Sequence, residues 1–564
     1  MSEVVTDVLV VGGGAAGVYA ALEASRLGAD VLLADKSMVG VGGATVMAQM
    51  TVAAALGHQE ADSAALHFAD TVASGKGLVN EPLAALVCED APKRILETRA
   101  MRVNWAADGD VLRQVVAPGH SRRRCCYVDV LATGTGVMKG MKAELRRRGI
   151  TRHQNLFVTE LIADATGRVV GAAALDVAAG EPVRIWANAV VLACGGLTEM
   201  YERNSASVNM TGDAYALGLG VGAELVDFEM VQFFPIANLA PRTIGLDPIM
   251  WDPFRYKLGG RLLNGLGEEF IERYAGVADE GTYTATRDVV SYAILKEVEA
   301  GRGSPAGGAW LDFRDSSAED IHAAFPPVVD KLLAQGIDLT TRAVEVAPTA
   351  HYTIGGLRVD VEMRTTVAGL FGAGEAVGGA HGANRLSGNA MSEAFVFGAR
   401  AGVSAAAERG ERAIDATARD RMAAAEAAIR RVPGRNEASP LFLPALRTRL
   451  QQTMWRLVGP FRDEARLTAA AAELAEIDAA VDEAHVGAPG AYNLEWVEWF
   501  EMKNMVRNGL AVRAAALARQ ESRGAHQRED YPEPADGPLR NGVIALAGDE
   551  FTHRWEDVPA LAEV

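Results

Sequence analysis

Short apolar runs that end at glycine recur at distant places along this 564-residue chain. Asp7–Val11 is nearly continuous in apolar residues, as expected of a strand buried on both faces. A helical pattern over Val18–Leu27 and a second apolar run, Asp30–Ala34, follow it and predict a βαβ unit. Later runs at Ala189–Ala193 and Gly369–Phe371 have the same character. We expect all of these strands to belong to one discontinuous α/β domain.

The pattern changes between and after those strands. The segment from about residue 233 contains Gly-rich turns and helical patterns at Arg287–Glu297 and near Ser317–Leu333, which indicate an inserted domain. From about residue 411 the composition shifts to Ala, Arg and Glu with little β-branching, which is typical of an antiparallel helical bundle. Prolines follow Asp530, so we expect the last segment to be a tail along the surface.

Composition and charge narrow the possible functions. With 55 Lys and Arg against 73 Asp and Glu, the formal net charge is −18, which argues against nonspecific binding to nucleic acid. The four cysteines form no CxxC pair, so they predict neither a metal site nor a disulfide framework. The apolar stretch Val8–Leu22 is too short to span a bilayer and lacks a basic segment before it. We therefore expect a cytoplasmic protein without direct membrane insertion.

The first glycine turn carries a phosphate-binding motif. Gly12–Gly17 (GGGAAG) follows a strand and opens a helix, which is the context that this motif requires. Gly12 permits the tight turn, Gly14 lets the backbone approach a pyrophosphate, and Gly17 lets the helix pack on the strand. The anion then lies at the helix N-terminus. Asp35 lies 23 residues after Gly12, a suitable distance for an acid that binds a ribose hydroxyl.

Two further glycine turns distinguish between dinucleotides. Gly195–Gly196 and Gly372–Glu375 both follow predicted strands, and Glu375 is placed to bind a ribityl or ribose hydroxyl. A nicotinamide enzyme needs little beyond the first motif. The combination resembles the flavoproteins with two dinucleotide-binding domains, which hold FAD in an extended pose.

An ordered series of motifs is much more specific. His351–Gly356 (HYTIGG), Gly372–Glu375 (GAGE), His381–Leu386 (HGANRL) and Glu521–Arg528 (ESRGAHQR) follow one another along the chain. Together they resemble the succinate dehydrogenase/fumarate reductase flavoprotein subunits, whose superfamily also includes L-aspartate oxidase and the adenylylsulfate reductase α subunit. The similarity extends from about residue 5 to about residue 535.

The resemblance implies an α/β fold with a two-part, Rossmann-like FAD-binding domain, an inserted α+β capping domain and a C-terminal helical domain. The predicted boundaries are 1–232 and 349–410 for the FAD-binding domain, 233–348 for the capping domain, 411–510 for the helical bundle and 511–564 for a C-terminal segment. The predicted FAD contacts are Gly12, Gly14, Ala15, Ala16, Gly17, Asp35, Lys36, Ala44, Thr45, Gly195, Asp213, Gly374, Glu375, Ser387 and Asn389.

The resemblance also assigns roles to the residues that handle substrate. Arg385 matches the family arginine that clamps a substrate carboxylate, and its fork suits bidentate binding. His351 matches a second carboxylate donor. Arg287 matches the arginine that exchanges a proton with a substrate carbon, a role that a pKa above about 12 would not suggest. With one inserted residue allowed, Asp252 and Arg255 take the positions of the relay glutamate and arginine behind it.

Two positions depart from the succinate and fumarate enzymes. Phe234, within Gln232–Ile236 (QFFPI), replaces a substrate-binding histidine, and Trp251 replaces a threonine that binds carboxylate. One carboxylate subsite has thus lost two polar ligands and gained two aromatic side chains. Burying a carboxylate without partners is strongly unfavourable. We expect a substrate with one carboxylate and an apolar or aromatic end, or a reaction other than plain succinate oxidation.

A third departure concerns the flavin. Ala44 occupies the position where the membrane complexes carry a histidine bonded covalently to FAD, so we predict noncovalent FAD. Loss of that bond usually accompanies a lower flavin potential, which favours a reductase or an oxidase. The chain has no cysteine pattern for an iron–sulfur cluster, so electrons enter or leave through another molecule.

Three interpretations stay open. The first is hydride transfer at the α,β carbon–carbon bond of a small carboxylate substrate. The second is oxidation of a C–N bond with O2 or fumarate as acceptor, as in L-aspartate oxidase, and His120–Arg124 (HSRRR) resembles a segment of that enzyme. The arginines of this segment either steer an anion, pack on the flavin edge or are ordinary exposed side chains. The third is an electron-transfer subunit that requires an iron–sulfur or other electron-carrier protein.

Overall fold

The chain folds into two compact units. The computed structural model describes residues 2–129, 131–246, 249–251, 254–255, 258–275, 287–410, 414–436 and 438–561. The first unit comprises Met1–Glu202, Ala206–Val231 and Tyr352–Val564, and the second comprises Arg203–Ser205 and Gln232–His351.

The described residues contain twenty strands of two to twelve residues each. They are β1 (Ser2–Val11), β2 (Val31–Asp35), β3 (Val52–Ala53), β4 (Ala107–Asp108), β5 (Val111–Leu112), β6 (Gln114–Val115), β7 (Cys125–Cys126), β8 (Thr151–Gln154), β9 (Leu156–Ala163), β10 (Val169–Asp176), β11 (Glu181–Leu192), β12 (Leu225–Val226), β13 (Val231–Ala240), β14 (Arg261–Leu263), β15 (Ala309–Asp312), β16 (Val344–Thr353), β17 (Gly356–Leu357), β18 (Leu370–Gly372), β19 (Arg540–Ala547) and β20 (Glu550–Asp557).

The helices lie between these strands and in a C-terminal group. They are α1 (Ala15–Arg26), α2 (Ala44–Met47), α3 (Ala64–Ser74), α4 (Glu81–Ala100), α5 (Thr133–Arg148), α6 (Asp213–Gly220), α7 (Glu272–Ala275), α8 (Arg287–Glu299), α9 (Ala318–Ala324), α10 (Pro326–Ala334), α11 (Asn389–Ala406), α12 (Ala416–Arg430), α13 (Leu443–Leu457), α14 (Glu464–Asp482) and α15 (Leu494–Ala518).

The main sheet of the first unit explains how distant glycine turns meet. Within the described residues it has seven strands, in the order β8-β2-β1-β11-β10-β9 with β18 beside β11. β1 runs parallel to β2 and β11, and β11 runs parallel to β18. Val11 pairs with Leu192, and Leu192 pairs with Gly372. The carboxyl ends of β1, β11 and β18 therefore lie at one edge of the sheet, where ligands of such folds bind.

The core of this unit lies between the sheet and the helices on it. Val8, Leu9 and Val10 of β1 are fully buried, as the continuous apolar run predicts. A Cβ added to Gly398 of α11 would overlap the carbonyl oxygen of Ala16 in α1. Glycine at this position therefore lets the two helices approach closely, which holds the first turn of α1 in place.

The second unit contains a sheet in the order β13-β16-β15-β14. Its antiparallel pairs join Arg261 to Asp312 and Ala309 to Val346. The sequence predicted one helix near Ser317–Leu333, and this prediction is wrong. The segment forms two helices, α9 and α10, which are separated at Phe325. Pro326 begins the second helix, and a proline cannot continue a preceding helix since it lacks the N–H group.

The C-terminal part holds one correction. Helices α12 to α15 confirm the predicted helical composition from residue 411 onward. The segment after Asp530, predicted as a surface tail, instead forms the hairpin β19–β20. β19 pairs with β12, where Leu225 lies opposite Ile544. Val543 and Ile544 are consecutive and both buried, so this strand packs in the interior although prolines precede the hairpin.

Membrane-spanning helices and groups of metal-binding side chains are both absent from the described residues. In those ranges no helix is both long enough and apolar enough to cross a membrane. The same residues contain no group of three or more His, Cys, Asp and Glu side chains placed to hold a metal ion. Burial raises the pKa of the Cys125 thiol to about 12, which keeps it protonated and unreactive.

Candidate active site

The turn from β1 into α1 fits a phosphate group. Gly12 has φ +108°, and a Cβ on it would overlap the carbonyl oxygen of Ala193. Gly14 is the N-cap of α1 and gives it no side-chain cap, while the N–H of Ala15 donates to Oγ1 of Thr45 at 3.1 Å. The N-terminus of a helix carries a partial positive charge and free N–H groups. A Cβ on Gly17 would overlap Gly12 O, so the helix packs directly on the turn.

Asp35 lies at the end of β2, beside this glycine turn. Its Oδ2 accepts from the N–H of Gly13 at 2.7 Å, and its Oδ1 accepts from the N–H and hydroxyl of Ser37 at 2.7 and 2.8 Å. These bonds fix the orientation of the carboxylate. The predicted bond from Asp35 to a ribose hydroxyl stays a prediction.

Lys36 and Asp213, predicted as two separate FAD contacts, are bonded to each other. Lys36 Nζ lies 2.9 Å from Asp213 Oδ2 and 2.7 Å from Glu501 Oε1, and it also donates to Oγ1 of Thr211 at 2.6 Å. Burial lowers the pKa of Lys36, but the two carboxylates outweigh that effect and raise it above its usual value. Lys36, which follows β2, is therefore bonded to α6 through Asp213 and to α15 through Glu501.

The other two glycine turns follow β11 and β18, and the turn at Gly374 contacts the first turn of α1. Gly195 has φ +78° and Gly374 has φ +63°, and a Cβ on Gly374 would lie 2.7 Å from the Cβ of Ala16. Oε1 of Glu375 accepts from the N–H of Thr353 at 2.9 Å. Burial raises the pKa of Glu375 to about 8, so the carboxyl is mostly protonated at neutral pH. Three glycine turns at one sheet edge fit an extended dinucleotide such as FAD.

Arg385 is held in a network of buried side chains. It is only 7% exposed, and its guanidinium carbon lies 4.6 Å from the ring centroid of Tyr352. Nη1 of Arg385 donates to the carbonyl of Leu386 at 3.2 Å. The Tyr352 hydroxyl donates to the carboxylate of Glu393, whose Oε2 lies 3.3 Å from Nε2 of His381. The network fixes the plane of the guanidinium, which suits it to a planar carboxylate.

The residues after Arg385 are held by two histidines. Nε2 of His120 contacts the carbonyl of Ser387 at 2.7 Å, and Nδ1 of His120 lies 3.2 Å from Nη1 of Arg124. Because an arginine only donates, Nδ1 accepts and the Nε2–H donates to Ser387. The side chain of Asn389 contacts Nε2 of His67 at 2.8 Å. The predicted FAD contacts of Ser387 and Asn389 stay predictions.

The arginines of His120–Arg124 differ in environment. Arg122 and Arg123 are exposed, whereas Arg124 is fully buried. Two nitrogens of Arg124 bond to Asp62 at 3.0 Å each, and Nη1 also bonds to Asp70 at 2.5 Å. Arg124 thus forms a structural ion pair, and the suggestion that it is an exposed side chain is wrong.

In the second unit, His351 and Phe234 lie side by side. Their ring centroids are 5.6 Å apart with an interplanar angle of 58°. Nδ1 of His351 lies 2.8 Å from Oγ of Ser205, which also donates to the carbonyl of Ala350 at 3.1 Å. Because the single Ser205 hydroxyl proton is donated to Ala350, Nδ1–H of His351 donates to Oγ. Nε2 is then an acceptor in the neutral ring and a donor to a carboxylate in the protonated ring. An imidazole and an apolar ring thus adjoin each other.

Trp251 lies in an aromatic cluster of the second unit. It is fully buried, its ring centroid lies 5.1 Å from that of Phe254 and 6.1 Å from that of Phe313, and its N–H donates to Asn238 Oδ1 at 3.2 Å. The backbone N–H of Arg255 donates to the Trp251 carbonyl at 2.9 Å, and its side chain is buried. In this structure Trp251 therefore packs in the core of the unit.

Two predicted catalytic residues cannot be placed. Asp252 lies outside the described residues, and so does the side chain of Arg287, whose backbone begins α8. Their proposed roles in proton transfer rest on the motifs alone.

Comparison with known proteins decides the family. Residues 7–391 match the family described as "FAD binding domain", and residues 447–558 match "Fumarate reductase flavoprotein C-term". The chain is 34% identical to a subunit of the fumarate reductase (CoM/CoB) of Methanothermobacter marburgensis, covering 93% of this chain and 94% of the relative. This chain belongs to the succinate dehydrogenase/fumarate reductase flavoprotein family.

Two further comparisons show the range of this family. The flavoprotein is 32% identical to an L-aspartate oxidase of Streptomyces coelicolor, covering 97% of this chain and 93% of the relative. It superposes on the structure of Mycobacterium smegmatis Sdh1 in complex with UQ1 with a TM-score of 0.90 and 32% identity, covering 100% of this chain and 96% of the other. The family and the fold class predicted from the motifs are confirmed, and the protein is an FAD-dependent oxidoreductase.

Sequence reasoning on this flavoprotein missed three supporting residues. Tyr352 stands beside His351 in a quoted motif, and the alternation of side chains along a strand could have assigned it to the opposite face. Glu393 lies seven residues after Leu386 on α11, with nothing in its local pattern to mark it. Ser205 also carries no motif, because its contact with His351 spans 146 residues.

Proposed function

We propose that this flavoprotein transfers hydride between FAD and the α,β carbon–carbon bond of a substrate with one carboxylate and an apolar or aromatic end. The observation that carries the proposal is the pair His351 and Phe234, an imidazole beside an apolar ring 5.6 Å away. Phe234 is 7% exposed and offers no hydrogen bond to a second carboxylate. An apolar substrate group that packs against Phe234 binds more tightly, because its removal from water is favourable.

The chain's own residues bind substrate and handle the proton. FAD supplies the hydride donor or acceptor when it is bound. Arg385 binds the substrate carboxylate with two parallel N–H groups, and His351 donates a further hydrogen bond to it. Arg287 exchanges the proton at the substrate carbon, with Asp252 and Arg255 as its relay partners. The stacking of Arg385 on Tyr352 supports the first of these roles.

The acceptor preference of the reduced enzyme tests this proposal. The purified protein is photoreduced without oxygen and then mixed with fumarate, crotonate or trans-cinnamate while flavin absorbance is followed. We expect cinnamate to reoxidise the flavin at least tenfold faster than fumarate, because Phe234 favours an apolar end. A fumarate rate equal to or above the cinnamate rate would overturn the proposed substrate class.

We further propose that FAD is held without a covalent bond. Ala44 begins α2 beside Thr45, and its methyl group has no atom able to bond the flavin. Acid precipitation is expected to leave the yellow colour in the supernatant. Colour retained in the washed pellet would contradict this proposal.

A second candidate function is oxidation of a C–N bond. The similarity to an L-aspartate oxidase at 32% identity supports it. Incubation with L-aspartate in air distinguishes the candidates, since C–N oxidation consumes oxygen and releases peroxide and ammonia. Absence of both products, together with reoxidation by cinnamate, favours the first function.

We also propose that electrons reach FAD from another molecule, such as an iron–sulfur protein or a small carrier. The relative from Methanothermobacter marburgensis is named as one subunit of its enzyme, and the four cysteines of this chain form no cluster pattern. An artificial dye donor should then support steady turnover of the isolated chain with an unsaturated acid.

A further inference from the structure

The motif near the C-terminus folds into a tight turn, here called the tail loop (Arg523–His526). Its first and last residues exchange two backbone hydrogen bonds, of 2.8 and 3.0 Å. His526 is fully buried and anchors the loop, because its Nδ1 accepts from Nη1 of Arg462 at 2.9 Å and its Nε2 donates to the carbonyl of Arg519 at 3.1 Å. The base of the turn is therefore fixed to the rest of the first unit.

The tip of the tail loop packs on the segment that carries Arg385, here called the substrate loop (Gly379–Arg385). The N–H of Ala525 donates to the carbonyl of Ala383 at 2.8 Å. Gly524 has φ +55°, and a Cβ on it would overlap the Ala383 carbonyl oxygen and lie 2.8 Å from the Ala383 Cβ. The two backbones are thus in direct contact, with no room for a side chain.

A third segment holds the substrate loop from another direction. The N–H of Ala383 donates to the carbonyl of Gly75 at 2.9 Å. Nη1 of Arg523 donates to the carbonyl of Lys76 at 3.0 Å, which joins the tail loop to this third segment. Both polar groups of the Ala383 peptide are therefore bonded, one to the tail loop and one to a segment that the tail loop itself holds.

We propose that the tail loop is a positioning element for Arg385, acting through its backbone contacts with Ala383. Arg385 lies two residues beyond Ala383, so a shift of the Ala383 backbone moves the guanidinium relative to the ring of Tyr352. A displacement of about 1 Å at a binding group can cost about 10²-fold in rate. This inference rests on the proposed role of Arg385 in binding carboxylate. Gly524 is then needed because only glycine allows the close contact with Ala383.

The test compares Gly524→Ala with a matched control. Gly548 lies in the β19–β20 hairpin at φ +64°, and a Cβ there meets no atom within 4 Å. Gly548→Ala therefore carries similar backbone strain without the overlap at Ala383. Hydrogen exchange of the Ala383 and Ala525 amides is measured by mass spectrometry on the FAD-loaded proteins, alongside KM and kcat with trans-cinnamate and fumarate.

In Gly524→Ala we expect exchange of both amides to rise at least tenfold and KM for the better acid to rise at least tenfold, with kcat changed less than threefold. Gly548→Ala should match wild type within twofold. If Gly524→Ala does not fold, Arg523→Met removes the guanidinium bonds to the Lys76 carbonyl and to the Glu521 carboxylate and leaves Gly524 in place. The same changes should then appear at two- to fivefold size.

Two results would overturn the proposal. One is equal behaviour of the Gly524 and Gly548 variants, and the other is faster exchange with KM unchanged. Failure of the proposed function has a different signature, because wild type itself would then react with no unsaturated acid. The exchange rates would still decide whether the tail loop fixes Ala383.

Discussion

The two units of this flavoprotein build their parts of the chemistry in different ways. In the first unit, glycine turns after β1, β11 and β18 bring backbone groups to one sheet edge, and Arg385 is fixed by a ring and a carbonyl. In the second unit, the candidate substrate residues His351 and Phe234 are neighbouring side chains on β16 and β13. Backbone geometry tolerates little change, whereas a side chain such as Phe234 can alter specificity without altering the fold.

The difference separates what the family shares from what this chain alters. FAD binding depends on turns that need glycine at positive φ, as at Gly12 and Gly374. Substrate choice depends on which donors face the variable end of the substrate, and here Phe234 supplies none. Substitutions in the first unit should therefore lower activity with every substrate, whereas substitutions in the second unit should change which substrate is preferred.

Arg385→Lys is the strongest test of the first unit. Lysine keeps the charge but lacks the planar fork that binds a carboxylate with two N–H groups. We expect kcat/KM for the better unsaturated acid to fall by about 10²–10³-fold with FAD content unchanged. Steady-state kinetics with a dye donor measure it, and the exposed Arg122→Lys serves as the control. A loss below tenfold would show that the fixed fork is not what binds the substrate.

Phe234→His tests whether the second unit sets the preference. A second imidazole should accept a dicarboxylate, so we expect the ratio of fumarate to cinnamate rates to rise by about 10–100-fold. Phe233 is the matched control, because it precedes Phe234 in β13 and its side chain points to the opposite face of the strand. Comparable shifts in Phe233→His and Phe234→His would remove Phe234 from the specificity argument.

The same contrast explains how much the sequence could predict. Strands that end in glycine, and the helix after Gly14, follow from local patterns, and the structure confirms them. Contacts such as Lys36 with Asp213 and Ser205 with His351 join residues 177 and 146 positions apart, which no local pattern encodes. The prediction of a surface tail was wrong for a related reason. β19 pairs with β12, which lies more than 300 residues earlier in the chain, and no local pattern encodes that pairing.

Glu375→Gln tests whether the buried, protonated carboxyl of Glu375 contributes to the stability of the FAD-binding unit. The folded pKa of Glu375 is about 8 against an ordinary value of 4.5, raised by burial. The folded state therefore binds the extra proton, and this stabilisation is full below about pH 4.5 and lost as pH rises through 8. The free energy of unfolding of the FAD-free variant should therefore fall by about 3 kcal/mol less than that of wild type from pH 5.5 to 8.5, and its apparent Tm should depend less on pH. Parallel Tm curves for wild type and variant from pH 5.5 to 8.5 would contradict this prediction.

Ser205→Ala should produce the smallest effect and the finest test of the second unit. Oγ of Ser205 lies 2.8 Å from Nδ1 of His351, and its loss removes the hydrogen bond that orients the imidazole ring. We expect KM to rise about two- to tenfold, equivalent to about 0.5–1.5 kcal/mol, with kcat little changed. Ser316→Ala removes a comparable bond, to the Leu258 carbonyl at 3.2 Å, and should leave KM at the wild-type value. Equal KM values in both variants would mean that the bond to Ser205 does not orient His351 for substrate binding.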